Sequence, residues 1–254
     1  MIEIEDIRIS FEQGEVLHGI SGVFEDGITN LIIGRSGSGK TVLMNCIVGL
    51  LTPESGKILY DGRNLRTMTN RECMRLRREI GMLFQGAALF DSISVLANVM
   101  FPLDMFSSLS YKDRRRRAEE CLERVGLAGA GDKMPEELSG GMKKRAAIAR
   151  AIVLQPRYLF CDEPNSGLDP QTSLLIDDLI HTLTHENRMT TLINTHDMNS
   201  VMGIGENILY INKGNKAWQG RNVDILDCGN ADLNDFVFAS NLSKQMKEFM
   251  EQRK

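Results

Sequence analysis

The chain has 254 residues, 42% of them hydrophobic and 25% charged, a globular composition large enough for one α/β domain or two small ones. A formal net charge of -4 lacks the basic bias that would prompt a nucleic-acid partner. The five cysteines (Cys46, Cys73, Cys121, Cys161 and Cys228) form no C-x-x-C pair, which fits core packing in a reducing compartment rather than a disulfide framework.

Residues 2–9 alternate apolar and polar positions and predict a strand, so no targeting leader is expected ahead of it. No apolar run approaches the roughly 20 residues that cross a bilayer, so any service at a membrane runs through a partner, from the cytoplasmic side. A second strand is predicted around 16–24. A third, Thr29-Asn30-Leu31-Ile32-Ile33, ends at a glycine-rich loop. A helical pattern follows from 40 to about 50, then a strand at 57–60 and a turn at Asp61-Gly62. Residues 90–154 read mostly helical. The four consecutive arginines, Arg114 to Arg117, lie on one predicted helix, and about 100° per residue fans them around it as a solvated face. Strands return at 158–161 and 190–194 with a helix between them, and 208–211 with 216–218 predicts a late hairpin. Residues 232–254 read as a helical tail with apolar positions Phe236, Val237, Phe238, Met246, Phe249 and Met250, either a frayed or self-packed end or a surface for a second copy or a small regulatory subunit. Strands alternating with helices imply an α/β fold: a largely parallel sheet covered on both faces, with the helical middle inserted as a lobe.

Gly34-Arg35-Ser36-Gly37-Ser38-Gly39-Lys40-Thr41 matches G-x-x-x-x-G-K-[ST] between an apolar strand and a helix. The glycines allow close backbone approach to phosphate oxygens, and successive N–H groups with the helix N-terminus form an anion cradle. Lys40 is expected at the β- and γ-phosphates and the Thr41 hydroxyl on Mg²⁺. Tyr158-Leu159-Phe160-Cys161-Asp162-Glu163 is an apolar strand ending in two acids. Asp162 suits Mg²⁺ at the carboxyl edge of the sheet, and Glu163, directed elsewhere, suits a general base for an attacking water.

Between these motifs lies Leu138-Ser139-Gly140-Gly141-Met142, followed by a helical stretch to about 154. A hydroxyl and free N–H groups at a helix start are a second phosphate-binding device. Two γ-phosphate devices make sense if two chains pair head to tail, each Ser139 closing over the nucleotide on the other's Lys40. ATP then holds the homodimer together and hydrolysis releases it.

With these residues in place, the chain resembles an ABC transporter ATPase over nearly its whole length. The resemblance implies a P-loop NTPase fold: a RecA-like core, an N-terminal antiparallel β subdomain and an inserted α-helical subdomain at about 90–154, all in one domain of residues 1–254. Leu138 to Met142 resembles the family signature, with Ser139, Gly140 and Gly141 on phosphate and Met142 in place of the usual glutamine. Gln85 resembles the glutamine that senses the γ-phosphate, assists the metal and faces the membrane partner. Asp169, in Ser166-Gly167-Leu168-Asp169, resembles the segment that crosses the dimer interface. His196 resembles the histidine that contacts the γ-phosphate, and Phe11 the aromatic that stacks on adenine. His18, His181 and His185 are given no role, and no metal-ligating cluster of His and Cys is expected.

Three stretches are similar to the Mla/Mce-type phospholipid transport ATPases: residues 83–92, the methionine-ended signature with Lys143, Lys144 and Arg145, and residues 162–170. That resemblance implies lipid movement between a bacterial inner membrane and the outer envelope, a peripheral position on the inner membrane, a permease subunit and an Mce-domain lipid-binding protein. Apolar Ala87, Ala88, Leu89 and Phe90 follow Gln85 and suit a permease-docking loop. A motor for another solute, such as amino acids, is the alternative. A soluble protein of this type acting on DNA or ribosomes is disfavoured by the single cassette and the absence of heptads.

Overall fold

The computed structural model describes residues 1–225 and 227–238. In chain order the elements are β1 (Ile2–Phe11), β2 (Gly14–Phe24), β3 (Thr29–Ile33), α1 (Lys40–Val48), β4 (Ser55–Tyr60), β5 (Arg63–Asn64), α2 (Asn70–Arg78) and β6 (Ile80–Leu83). Then come α3 (Val95–Phe106), α4 (Tyr111–Arg124), α5 (Gly140–Ile152), β7 (Tyr158–Asp162), α6 (Pro170–Asn187), β8 (Thr190–Thr195), α7 (Met198–Ile204), β9 (Asn207–Asn212), β10 (Asn215–Gly220) and α8 (Ala231–Val237).

Two sheets result. An antiparallel sheet orders β2-β1-β4-β5, and a six-stranded sheet orders β10-β9-β3-β8-β7-β6. Neighbours in the larger sheet are parallel except for the β9–β10 hairpin. The central strand β3 is buried at all five positions, which is why it reads as a continuous rather than an alternating run. Its side chains divide between two cores. Leu31 and Ile33 join a cluster with α3, α4, α5 and α6, whereas Ile32 joins one with Leu43, Met44 and the isoleucines of β1. The same alternation sends Leu159 and Cys161 of β7 one way and Tyr158 and Phe160 the other.

Asn30 is fully buried in β3 and is fully employed. Its amide group donates to the carbonyls of Glu25 (2.9 Å) and Thr191 (3.1 Å), and its Oδ1 accepts from the Glu25 amide and from Asn207. This lets a polar residue sit mid-sheet at little cost.

The predicted α/β fold with an antiparallel N-terminal sheet and an inserted helical lobe is found, with boundaries moved by a few residues. Four short elements go beyond the sequence reading: the two-residue β5, α2, the edge strand β6 and α7. Of the predicted tail, α8 covers the start; Met246, Phe249 and Met250 lie outside the described residues. Arg115 and Arg116 pair with Glu119 and Asp113 on the solvated face of α4, while Arg114 turns to Asp104 of α3. Among the described residues no helix is long and apolar enough to cross a membrane.

Candidate active site

The parallel strands deliver their carboxyl ends to one edge, and the motif residues collect there. β3 ends at the loop 34–39, which enters α1 through Gly39 in a left-handed conformation. Gly34 also lies at positive φ (152°), and a Cβ there would stand 2.3 Å from the Ile211 carbonyl oxygen, so only glycine closes this turn. Arg35, Ser36 and Gly37 are exposed; Ser38 and Lys40 are buried. The Ser38 hydroxyl is buried without a hydrogen-bond partner. The Lys40 ammonium folds back onto the carbonyls of Gly34 (2.8 Å) and Arg35 (3.2 Å). Burial pushes its pKa below the ordinary lysine range, opposed by the charges of Glu163 and Asp162.

Two acids end β7 and serve separate neighbours. Asp162 Oδ1 accepts from Asn194 Nδ2 (3.0 Å) on β8 and from the Thr41 hydroxyl (3.4 Å) on α1. Glu163, at φ 45°, leaves the strand in a left-handed turn. Its carboxylate receives Gln85 Nε2 at 3.0 Å on one oxygen and lies 3.1 Å from His196 Nδ1 on the other. Lys40, Thr41, Asp162, Glu163, Gln85 and His196 are thus drawn to one edge from four places in the sequence.

One contributor lies beside the signature in sequence, yet no motif gives it a role at the site. Lys144, on α5, is 5% exposed, and its ammonium donates to the backbone carbonyl of Gln85 and to that of Glu163 (3.3 Å). A buried ammonium is expensive unless hydrogen-bonded, and here both acceptors belong to the site. One turn and a half further along α5, Arg150 donates to the carbonyls of Ala87 (2.9 Å) and Ala88 (2.7 Å). Those two alanines hold left-handed backbone angles (φ 62° and 49°), so the loop after Gln85 is clamped in a strained shape. Beside it Phe84, Phe90 and Phe101 remain 40%, 43% and 40% exposed.

The signature residues stand elsewhere. Ser139 caps α5 by accepting from the Met142 amide (3.3 Å) and, with Gly140, Gly141, Gly167, Leu168 and Asp169, lines a cleft of about 570 Å³. No residue of 34–41 lines that cleft. Asp169 caps α6; the Thr172 hydroxyl (2.5 Å) and amide (3.0 Å) hold its carboxyl below the usual carboxylate range. Phe11 ends β1 at the hairpin with β2 and is 47% exposed.

The residues at the sheet edge fit a nucleoside triphosphate with Mg²⁺. The orphaned Ser38 hydroxyl and the exposed loop amides ask for an anion, while Thr41 and Asp162 offer neighbouring hard oxygen donors.

Comparison with known proteins agrees. A model of the ABC transporter family matches residues 17–166. An intermembrane phospholipid transport ATP-binding protein, MlaF, of Haemophilus influenzae is 40% identical over 80% of this chain and 78% of its own. A methionine import ATP-binding protein, MetN 2, of Lactiplantibacillus plantarum is 39% identical over 87% of this chain; the chain spans 65% of that protein's length. Among solved structures, the dimeric ATP-binding cassette MJ0796, in a post-hydrolysis state bound to ADP and phosphate, superposes with a TM-score of 0.79 at 30% identity, over 87% of this chain and 98% of that one.

Proposed function

This chain belongs to the ABC transporter family, and from that premise we propose that it is the ATP-hydrolysing subunit of a phospholipid transporter, acting as a homodimer on a separate permease. The observation that carries the ATPase reading is the meeting of Lys40, Thr41, Asp162, Glu163, Gln85 and His196 at one sheet edge.

Phe11 stacks the adenine, with an exposed ring to offer. The amides of residues 34–39 hold the phosphates, and Lys40 exchanges its own loop's carbonyls for the β- and γ-phosphates. Thr41, Asp162 and Gln85 hold Mg²⁺, which neutralises charge developing on the phosphate oxygens. Glu163 takes the proton of the attacking water; its contacts with Gln85 and His196 aim it before substrate arrives. Ser139, Gly140 and Gly141 serve the partner's nucleotide, which accounts for their cleft lying apart from the phosphate loop. Asp169 borders the same interface.

The cargo reading rests on the phospholipid-transport relative and on residues 83–92. The clamped loop at Ala87 and Ala88, with its three exposed phenylalanines, offers the permease an apolar seat. An Mce-domain lipid-binding protein completes the complex, and this chain sits peripherally on the cytoplasmic side of the inner membrane. Amino-acid transport is the second reading, favoured by the methionine-import relative. Purifying the chain from its native membrane in mild detergent separates the two. A permease with an Mce-domain protein and bound phospholipid supports the first; a permease with a soluble solute-binding protein replaces it with the second.

A further inference from the structure

At the opposite edge of the larger sheet, three side chains converge that belong to no motif. His181 and His185 stand one turn apart on α6, and Glu206 lies between α7 and β9. Their ring nitrogens and carboxylate form a tight triangle. His185 Nε2 lies 3.1 Å from His181 Nε2 and 3.1 Å from Glu206 Oε2, and His181 Nε2 lies 3.9 Å from the same oxygen. All three side chains are a third or more open to solvent, so an ion can enter.

Hydrogen bonding satisfies this arrangement poorly, because one proton must serve two acceptors. An imidazole nitrogen has one in-plane position, filled by a proton or by a lone pair. If His185 Nε2 carries the proton it can donate to His181 or to Glu206, and the other contact is left unmade. If it carries the lone pair it faces the carboxylate lone pairs at 3.1 Å. A divalent cation accepts all three lone pairs at once. Ligands held tetrahedrally at about 2.0–2.1 Å stand about 3.3–3.4 Å apart, a value the observed edges bracket.

The carboxylate is also pre-aimed. Glu206 Oε2 accepts from the Thr29 backbone amide (2.8 Å) and hydroxyl (2.9 Å), and the Glu206 amide returns a bond to the Thr29 carbonyl (3.1 Å). Such support orients a ligand before the metal arrives. We propose that His181, His185 and Glu206 form a binding site for a transition-metal dication of the zinc class, with a water completing the tetrahedron. Two imidazoles and one carboxylate select against Mg²⁺, which prefers an all-oxygen octahedron. The site joins α6 and the segment before β9 to the first residue of β3. It lies at the start of β3, whereas the phosphate loop follows the end of that strand, and it stabilises the fold without entering the hydrolysis step.

The test uses the full chain, stripped with chelator and free of nucleotide, titrated with zinc chloride. Wild type is expected to take up one Zn²⁺ per chain at micromolar or lower concentration, to ignore millimolar Mg²⁺ in the same assay, and to gain about 5 °C in Tm at a hundredfold excess over Kd. His185→Ala and Glu206→Gln are each expected to weaken Zn²⁺ at least 30-fold, with circular dichroism and basal ATP turnover unchanged. The five cysteines are the competing ligands. Wild-type affinity in both variants would hand the metal to them, and no stoichiometric uptake by wild type would overturn the site.

Discussion

Lys144 is the residue whose removal separates chemistry from binding. Its ammonium ties the backbone of Gln85 to that of Glu163, and it touches no position proposed for substrate. Lys144→Met keeps the buried stem and removes the donors, so both carbonyls lose their bond and the Gln85–Glu163 pair loses its spacing. We expect kcat to fall at least 10-fold with nucleotide affinity within about threefold, because misplaced catalytic groups lose rate before binding. Lys144→Gln, which restores N–H donors, should recover part of the loss; equal loss in kcat/KM and affinity would reduce Lys144 to a packing role. Glu163→Gln provides the reference: binding retained, turnover lowered about 100-fold or more, and an ATP-trapped dimer by gel filtration. These two positions also mark what a sequence shows at this scale. Glu163 is legible because its motif partners share its short stretch of chain. Lys144 is not, because it grips carbonyl oxygens that every residue possesses. The His181–His185–Glu206 triangle hides for another reason: the helix supplies two ligands at i and i+4, but the third arrives after a strand and a helix.

Among the elements, the joint between the loop of residues 84–94 and α3 hangs on one side chain. Asn98 is fully buried; its amide group donates to the carbonyls of Phe90, Ile93 and Ser94, and its Oδ1 accepts from the Phe90 amide (2.8 Å). Asn98→Ala strands those backbone groups, and we expect a loss of about 2–4 kcal/mol in denaturant unfolding, with no change in m-value. A loss under about 1 kcal/mol would mean that water replaces the amide. Elements such as β3, β7 and β8 were legible because burial on both faces writes an uninterrupted apolar run. The missed ones each lack that record. α2 buries only Leu76, so its Thr69–Glu72 capping box stands ahead of no apolar stripe. β6 has four residues and α7 seven, too few for a period to show.

At the scale of the whole molecule, the proposed reading makes the phosphate loop and the signature two halves of one site that a second copy completes, since no residue of 34–41 lines the Ser139 cleft. Mixing Lys40→Ala chains with Ser139→Ala chains tests this directly. Each variant alone should be inactive. In a heterodimer both defects fall on one site and the other is intact, so random pairing should return activity to about a quarter of the wild-type sites. A mixture as inactive as its components would mean that phosphate loop and signature serve the same chain. Nothing in one sequence states this pairing outright; it is inferred from duplicated chemistry, and the separate lining of the Ser139 cleft is consistent with it.

The helix α5 strings three of these contacts along one rod: Ser139 at its head, Lys144 on the carbonyls of Gln85 and Glu163, Arg150 on the clamped loop. At about 1.5 Å per residue, the head stands about 7.5 Å from Lys144 and Arg150 about 9 Å beyond it. With Lys144 as fulcrum the rod is a lever of nearly equal arms. A 1 Å push on Ser139 by the opposite protomer's nucleotide would reappear at the Ala87–Ala88 loop as a swing of about 1.2 Å in the reverse sense, a gear ratio set by the spacing of three side chains on one helix.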